Sequence, residues 1–167
     1  MKTGYIPKDQ RKKVLLLSDD IRTHSGVGCQ ARQMVLNTCH HFNWINLGGA
    51  INHPDHGKNF DISESANQMM GITDSNVKVI PYNGYGDANI IRHIINTEKP
   101  DAIIHFTDPR YWIWLYQMEN EIRQNIPMVF YTIWDDVPYP MYNREYYRSD
   151  DMHLCISRQT ENIVKNV

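Results

Sequence analysis

Hydrophobic positions along the chain fall into short runs, separated by polar stretches that carry helical spacing. Val14 to Ser18, "VLLLS", is apolar without alternation and bounded by charge, the pattern of a strand covered on both faces. From Cys29 to about His41, Ala31, Met34, Val35 and Thr38 recur at helical spacing. Phe42 to Leu47 predicts a second strand, closed by Gly48-Gly49. The polar stretch that follows, to about Asn76, has no steady period and predicts a functional loop holding a short helix.

Beyond it the alternation becomes regular. Val77 to Tyr82 predicts a strand, and "GDANIIRHIINTEKP" a helix with Ile90, Ile91, Ile94 and Ile95 on one face, stopped by Pro100. Asp101 to Phe106 reads as a strand, Tyr111 to Gln124 as a helix, and Met128 to Ile133 as a strand. "MYNREYYRSDD" is polar with a short helical piece, Met152 to Ser157 is the sixth strand, and Arg158 opens a last helix. Strand alternating with helix predicts a Rossmann-like three-layer α/β sandwich, its mainly parallel sheet wrapped on both faces. Residues 1–12 read as a polar N-terminal extension and 13–167 as one lobe.

Composition narrows the function classes. A net charge of −2 excludes a general nucleic-acid binder, which needs a basic excess. Cys29, Cys39 and Cys155 are odd in number and without CxxC spacing, so free thiols in a reducing, cytoplasmic setting are expected. The start, "MKTGYIPKDQRKK", lacks a signal-peptide core, and no apolar run approaches membrane-spanning length. Ten tyrosines and four tryptophans exceed the needs of the core, so some are expected to line a sugar or nucleobase cleft.

In such sheets ligands bind beyond the carboxyl ends of the strands. The first connection, Asp20 to Gly28, is longer than a structural turn requires. It ends in Ser25-Gly26-Val27-Gly28 before a helix, whose free N–H groups attract anions, and His24 in the same loop could donate to an anion or act as a base. A glycine turn that only packs helix on strand is the alternative. The dinucleotide fingerprint fails here, because the glycines come late and "INLGG" offers the ribose no carboxylate. "LLLSDD" suggests the acidic pocket of receiver domains, but "YNGYG" and "WDDVPYP" lack its other aspartate and its lysine. His53, Asp55 and His56 have loop-ligand spacing without further ligands, so no metal site is expected. His105 falls within a buried strand, either as a core histidine or as a substrate contact.

Taken in order, these features resemble the N-terminal lobe of GT-B-fold glycosyltransferases, the retaining family 4 type. "RTHSGVGCQARQMVLN" stands where that family has P-x-G-G-x-x, and "DAIIHFTDP" resembles its D-h-h-H-h-H-D-P, keeping His105, Asp108 and Pro109. "VFYTIWDDVPYP" resembles h-h-x-T-h-H-D-x-x-P, with Trp134 in place of the histidine and Asp135 retained, and "MHLCISRQTENI" matches through Ser157. The resemblance implies an acceptor-side lobe with Asp108, Trp134 and Asp135 at the reaction centre. His105 and Asp136 would contact substrate, and Arg22, His24 and Ser25 to Gly28 would meet the donor's phosphates. It further implies a UDP- or GDP-sugar donor, a glycosyl acceptor, no metal, and a second lobe with an E-x7-E motif that this chain does not contain. Alone the lobe is expected to be inactive. The competing expectation is a non-catalytic module that binds a nucleotide or anionic metabolite.

Overall fold

A computed structural model describes residues 4–167. One seven-stranded sheet runs through it: β1 (Lys12–Asp19), β2 (Phe42–Gly49), β3 (Phe60–Asp61), β4 (Val77–Pro81), β5 (Ala102–Phe106), β6 (Met128–Thr132) and β7 (Met152–Cys155). Their spatial order is β3-β4-β2-β1-β5-β6-β7. All pairings are parallel except that of β3 with β4. Without the two-residue β3, this is the doubly wound order of Rossmann folds, with its switch between β1 and β5.

Helices α1 (Gly26–Thr38) and α2 (Ser63–Met70) cover one face, and α3 (Ala88–Glu98), α4 (Ile113–Gln117) and α5 (Glu119–Arg123) the other. Side chains of a strand alternate between faces, so β1 feeds both cores. Val14 and Leu16 join Ala31, Val35 and Trp44 under α1; Leu15 and Leu17 join Ile91, Ile94 and Leu115 under α3 and α4. That double burial explains the unbroken apolar run. Short α6 (Arg144–Arg148) follows a 3-10 turn at Met141–Asn143, and α7 (Arg158–Asn166) packs on β7.

Several boundaries move from their expected places. α1 begins at Gly26 instead of Cys29, because Ser25 accepts the Gly28 N–H as an N-cap. The expected helix at 111–124 is a 3-10 turn, Pro109–Trp112, then α4 and α5, broken at Met118 (φ −110°, ψ 15°). The break keeps Leu115, Tyr116, Met118 and Ile122 all on the core. β7 stops at Cys155, and Ser157 instead caps α7.

Residues 4–11, ahead of β1, are docked on the rest of the domain. Arg11 is buried and donates to Ile6 O, Asp74 O and Asp74 Oδ1, while Tyr5 also donates to Asp74. The Ile6 N–H donates to His40 O. These partners lie just ahead of β2 and β4, so the strap crosses the amino ends of the strands.

Candidate functional site

Two segments rich in polar residues emerge at the carboxyl edge of the sheet, and they are built differently. The first is the bend between β1 and α1. Asp20 is fully buried and accepts from Arg22 N, Nε and Nη2 at 2.7–2.9 Å. These bonds raise the Arg22 pKa, and the guanidinium lies over the Phe60 ring, 5.3 Å from its centroid. Asp19, almost as buried, accepts from Ser25 Oγ and from the Tyr85 hydroxyl. Burial, with Asp19 adding to it, raises the Tyr85 pKa.

Ser25 is thus committed twice, donating to Asp19 and accepting from Gly28. A Cβ on Gly28 would stand 2.3 Å from Thr23 Oγ1 and 2.9 Å from Asp20 O, and one on Gly48 only 2.7 Å from Asp20 Cα. Both glycines let backbones approach, whereas Gly26 faces open space. The nine residues from Asp20 to Gly28 therefore hold a buried Asp–Arg pair and a helix cap. The Ser25 hydroxyl and the Gly28 N–H are already matched, the Arg22 fork is turned onto Asp20, and the chain's own Asp19 stands at the start of α1. His24 is exposed and stands apart from the hollow described next.

That hollow, of about 340 Å³, opens between the tips of β5 and β6. Val27 of α1, Thr107, Asp108, Pro109, the run from Phe130 to Asp135, Asn143 and Tyr147 line it. The volume lies at the small end of the range for small-molecule sites. Asp108 opens the turn after β5 and accepts from Arg110 N, Nε and Nη2; chiefly the Arg110 fork lowers its pKa. Trp134 donates its indole N–H to Asp136 O and stands edge-on to Tyr142, 5.8 Å between centroids. Asp136 points its carboxylate to the Val137 N–H, outside the hollow. Gln159, in the first turn of α7, donates to Asp135 O and holds the segment from the β7 side.

Asn143 forms part of the floor. It is 2% exposed, and its Nδ2 reaches the Tyr147 hydroxyl only at 3.5 Å. Its Oδ1 has no hydrogen-bond partner, an omission that ordinarily costs about 1–3 kcal/mol.

His105 lies behind this wall. It is fully buried and stacks on Phe130 at 4.9 Å, and Phe130 in turn faces the hollow. Its Nδ1 meets the Tyr116 hydroxyl at 2.8 Å, and that hydroxyl reaches Asp150 Oδ2 at 3.5 Å. Burial pushes His105 down to about 3 and Asp150 up to about 7. Either Nδ1–H donates to Tyr116 and Tyr116 to Asp150, or protonated Asp150 donates to Tyr116 and Tyr116 to Nδ1; with Asp150 protonated, each leaves one proton, on Asp150 Oδ1 or His105 Nε2, without an acceptor among the described residues. His105 is a core residue here and not a substrate contact.

Of the residues singled out in the sequence, Val27, Asp108, Trp134 and Asp135 come together in one hollow. Ser25, Gly26 and Gly28 flank Val27, while Arg22, His24, His105 and Asp136 lie outside it. Thr107 follows a strand as such sites require, whereas Asn143 and Tyr147 were not foreseen, and only the aromatic surplus hinted at Tyr147. His53 Nδ1 accepts from the Asp55 N–H, and Asp55 pairs with Lys58. Among the described residues no three His, Cys, Asp or Glu side chains come together to hold a metal, and none of the three cysteines is in a disulfide. No helix of the described residues is long and apolar enough to cross a membrane. Comparisons with models of known families, with curated proteins and with solved structures find no match to this chain.

Proposed function

We propose that this chain is the acceptor-side lobe of a retaining, sugar-nucleotide-dependent glycosyltransferase. The observation that carries the reading is the single hollow shared by Val27, Asp108, Trp134 and Asp135 at the carboxyl edge of a Rossmann-type sheet. An indole beside carboxylates suits a sugar ring, the ring face packing and the carboxylates accepting from hydroxyls. The acceptor occupies this hollow. A UDP- or GDP-sugar donor is held by a second lobe, because the only arginine of the glycine bend is already engaged by Asp20. In transfer, the bond from the anomeric carbon to the phosphate oxygen breaks as one to the acceptor oxygen forms. The leaving phosphate takes the hydroxyl proton, so neither a protein nucleophile nor a metal is required. Free thiols and a sugar-nucleotide donor fit a cytoplasmic enzyme.

The alternative, a non-catalytic module gripping a nucleotide or anionic metabolite through the glycine bend, is disfavoured by Asp19 and by the prior engagement of Ser25 and Arg22. Ligand-observed NMR with simple glycosides tests the proposal. Millimolar binding is expected, weakened about tenfold or more in Trp134→Ala. The chain by itself is expected to transfer nothing from UDP- or GDP-sugars. Binding indifferent to Trp134→Ala, or turnover by these 167 residues alone, overturns the assignment.

A further inference from the structure

One wall of the hollow is hung on a short helix. α6 is five residues long, and it is held inward by two tyrosines. The Tyr146 ring packs on Tyr116 of α4, 4.9 Å between centroids, and Tyr147 lies 5.8 Å from Phe130 and 5.4 Å from His153. Asp150, 9% exposed, sits in the turn that joins α6 to β7. Among the described residues its only hydrogen-bond partner is the Tyr116 hydroxyl, at 3.5 Å, and its buried Oδ1 has none. The charges around it do not compensate. Arg123 of α5 is already shared between Glu119 and Asp151, and Glu145 and Arg148 of α6 pair with each other at the surface. Neutral His105 of β5 stands behind Tyr116, and His153 of β7 meets Tyr147 O through Nε2 at 2.8 Å. A carboxylate so placed, without a matched cation or a second donor, is costly to ionise where it stands. Asp151 beside it is pinned to β6, exchanging hydrogen bonds with Met128, so the chain can pivot there while α6 moves.

We propose that Asp150 is a pH-sensitive latch on α6: while its carboxyl keeps the proton α6 stays closed, and loss of the proton favours lifting of α6, which takes Asn143 and Tyr147 out of the wall of the hollow. The sign follows from linkage. Closed, Asp150 is held up to about 7 by burial; opened to water it returns to near 3.8. The closed form therefore has its full advantage below that lower value and loses it as pH rises toward 7, and the opening equilibrium grows about tenfold per pH unit in between. Global unfolding also releases His105, whose burial in the neutral form gives the opposite slope. Lifting α6 alone leaves His105 in place, so only the local motion carries the Asp150 dependence uncancelled. The latch belongs to the wall and not to its ligand, so it stands or falls apart from the sugar reading.

The test is amide hydrogen exchange of the full chain followed by NMR between about pH 4.5 and 6.5, each rate divided by that of the unprotected peptide at the same pH. The reporter is the Ser149 N–H, which donates to Tyr146 O within α6; the control is the Trp44 N–H, which donates to Asn76 O at the far side of the sheet. In wild type the opening measured at Ser149 is expected to increase about fiftyfold across this range, while that at Trp44 changes little. Asp150→Asn keeps the shape and the neutral form, so it should fold, stay closed, and give a flat profile at Ser149. A flat profile in wild type overturns the latch. A slope that persists in Asp150→Asn overturns it too, because another group such as His153 then titrates. Equal slopes at Ser149 and Trp44 mean that the whole domain opens together, and they overturn the local motion.

Discussion

The bend after β1 and the segment after β6 leave the same edge of the same sheet, and each carries an adjacent pair of aspartates, Asp19-Asp20 and Asp135-Asp136. They differ in how their polar groups are satisfied. At the bend, Asp20 is locked to Arg22, Asp19 to Ser25 and Tyr85, and the Gly28 N–H to Ser25. After β6, Ile133, Val137, Met141 and Tyr142 stand exposed, and among the described residues Asp135 has no ion-pair partner and Asn143 Oδ1 no hydrogen-bond donor. A run of polar residues and glycines at a strand tip is therefore no guide by itself to a ligand site. What separates the two is how the side chains are matched: the aspartates of the bend are engaged within it, while Asp135 takes part in no ion pair among the described residues.

The contrast can be broken by substitution, and the bend should suffer most. Gly48→Ala pushes a methyl against the Asp20 backbone, which has nowhere to move, and should cost about 3 kcal/mol in urea denaturation. Next in size is a pH effect in the layer behind the hollow. Folded Asp150 stays protonated up to about pH 7, whereas unfolded it ionises near 3.8, so its contribution falls as pH rises through that window. Folded His105 stays neutral down to about 3, whereas unfolded it charges near 6.5, so its contribution falls as pH drops. Between about pH 4 and 6.5 the slopes oppose, each up to about 1.4 kcal/mol per pH unit, and the two groups together leave the protein nearly indifferent. Asp150→Asn should expose a loss of stability toward acid, and His105→Phe a loss toward neutral pH. Parallel profiles for the two variants would refute the opposed titrations.

Smaller still is Gly28→Ala, about 2 kcal/mol destabilising, because one of the clashing groups is the Thr23 side chain, which can turn. Gly26→Ala, two residues away in open space, should be neutral or stabilise by about 0.5 kcal/mol. Equal costs at the two glycines would mean that the bend is not packed as described. Trp134→Ala should likewise change stability little, by under about 1 kcal/mol, while it weakens binding in the hollow about tenfold or more.

Most of the fold was legible because strand burial is a local signal. An unbroken run such as Val14 to Leu17 can be satisfied only by a strand with cover on both faces. The two-residue β3 and the strap around Arg11 were not legible, since each depends on a partner tens of residues away in β4 or at Asp74. The site divided in the same way. Asp108, Trp134 and Asp135 follow strands, so topology alone brings them to one edge. Arg22 misled because its partner, Asp20, lies two residues away and a sequence does not record which charges are already matched. Asn143 gave no signal, for its role depends on how the turn before α6 closes the floor.

The strap through Tyr5, Ile6 and Arg11 also fixes the direction from which the molecule can be handled. Gly4 lies against His41, at the opposite end of the strands from the hollow. A surface on which the protein is captured by an amino-terminal tag would accordingly present the hollow outward, so sensor measurements of weak sugar binding need not contend with a blocked entrance.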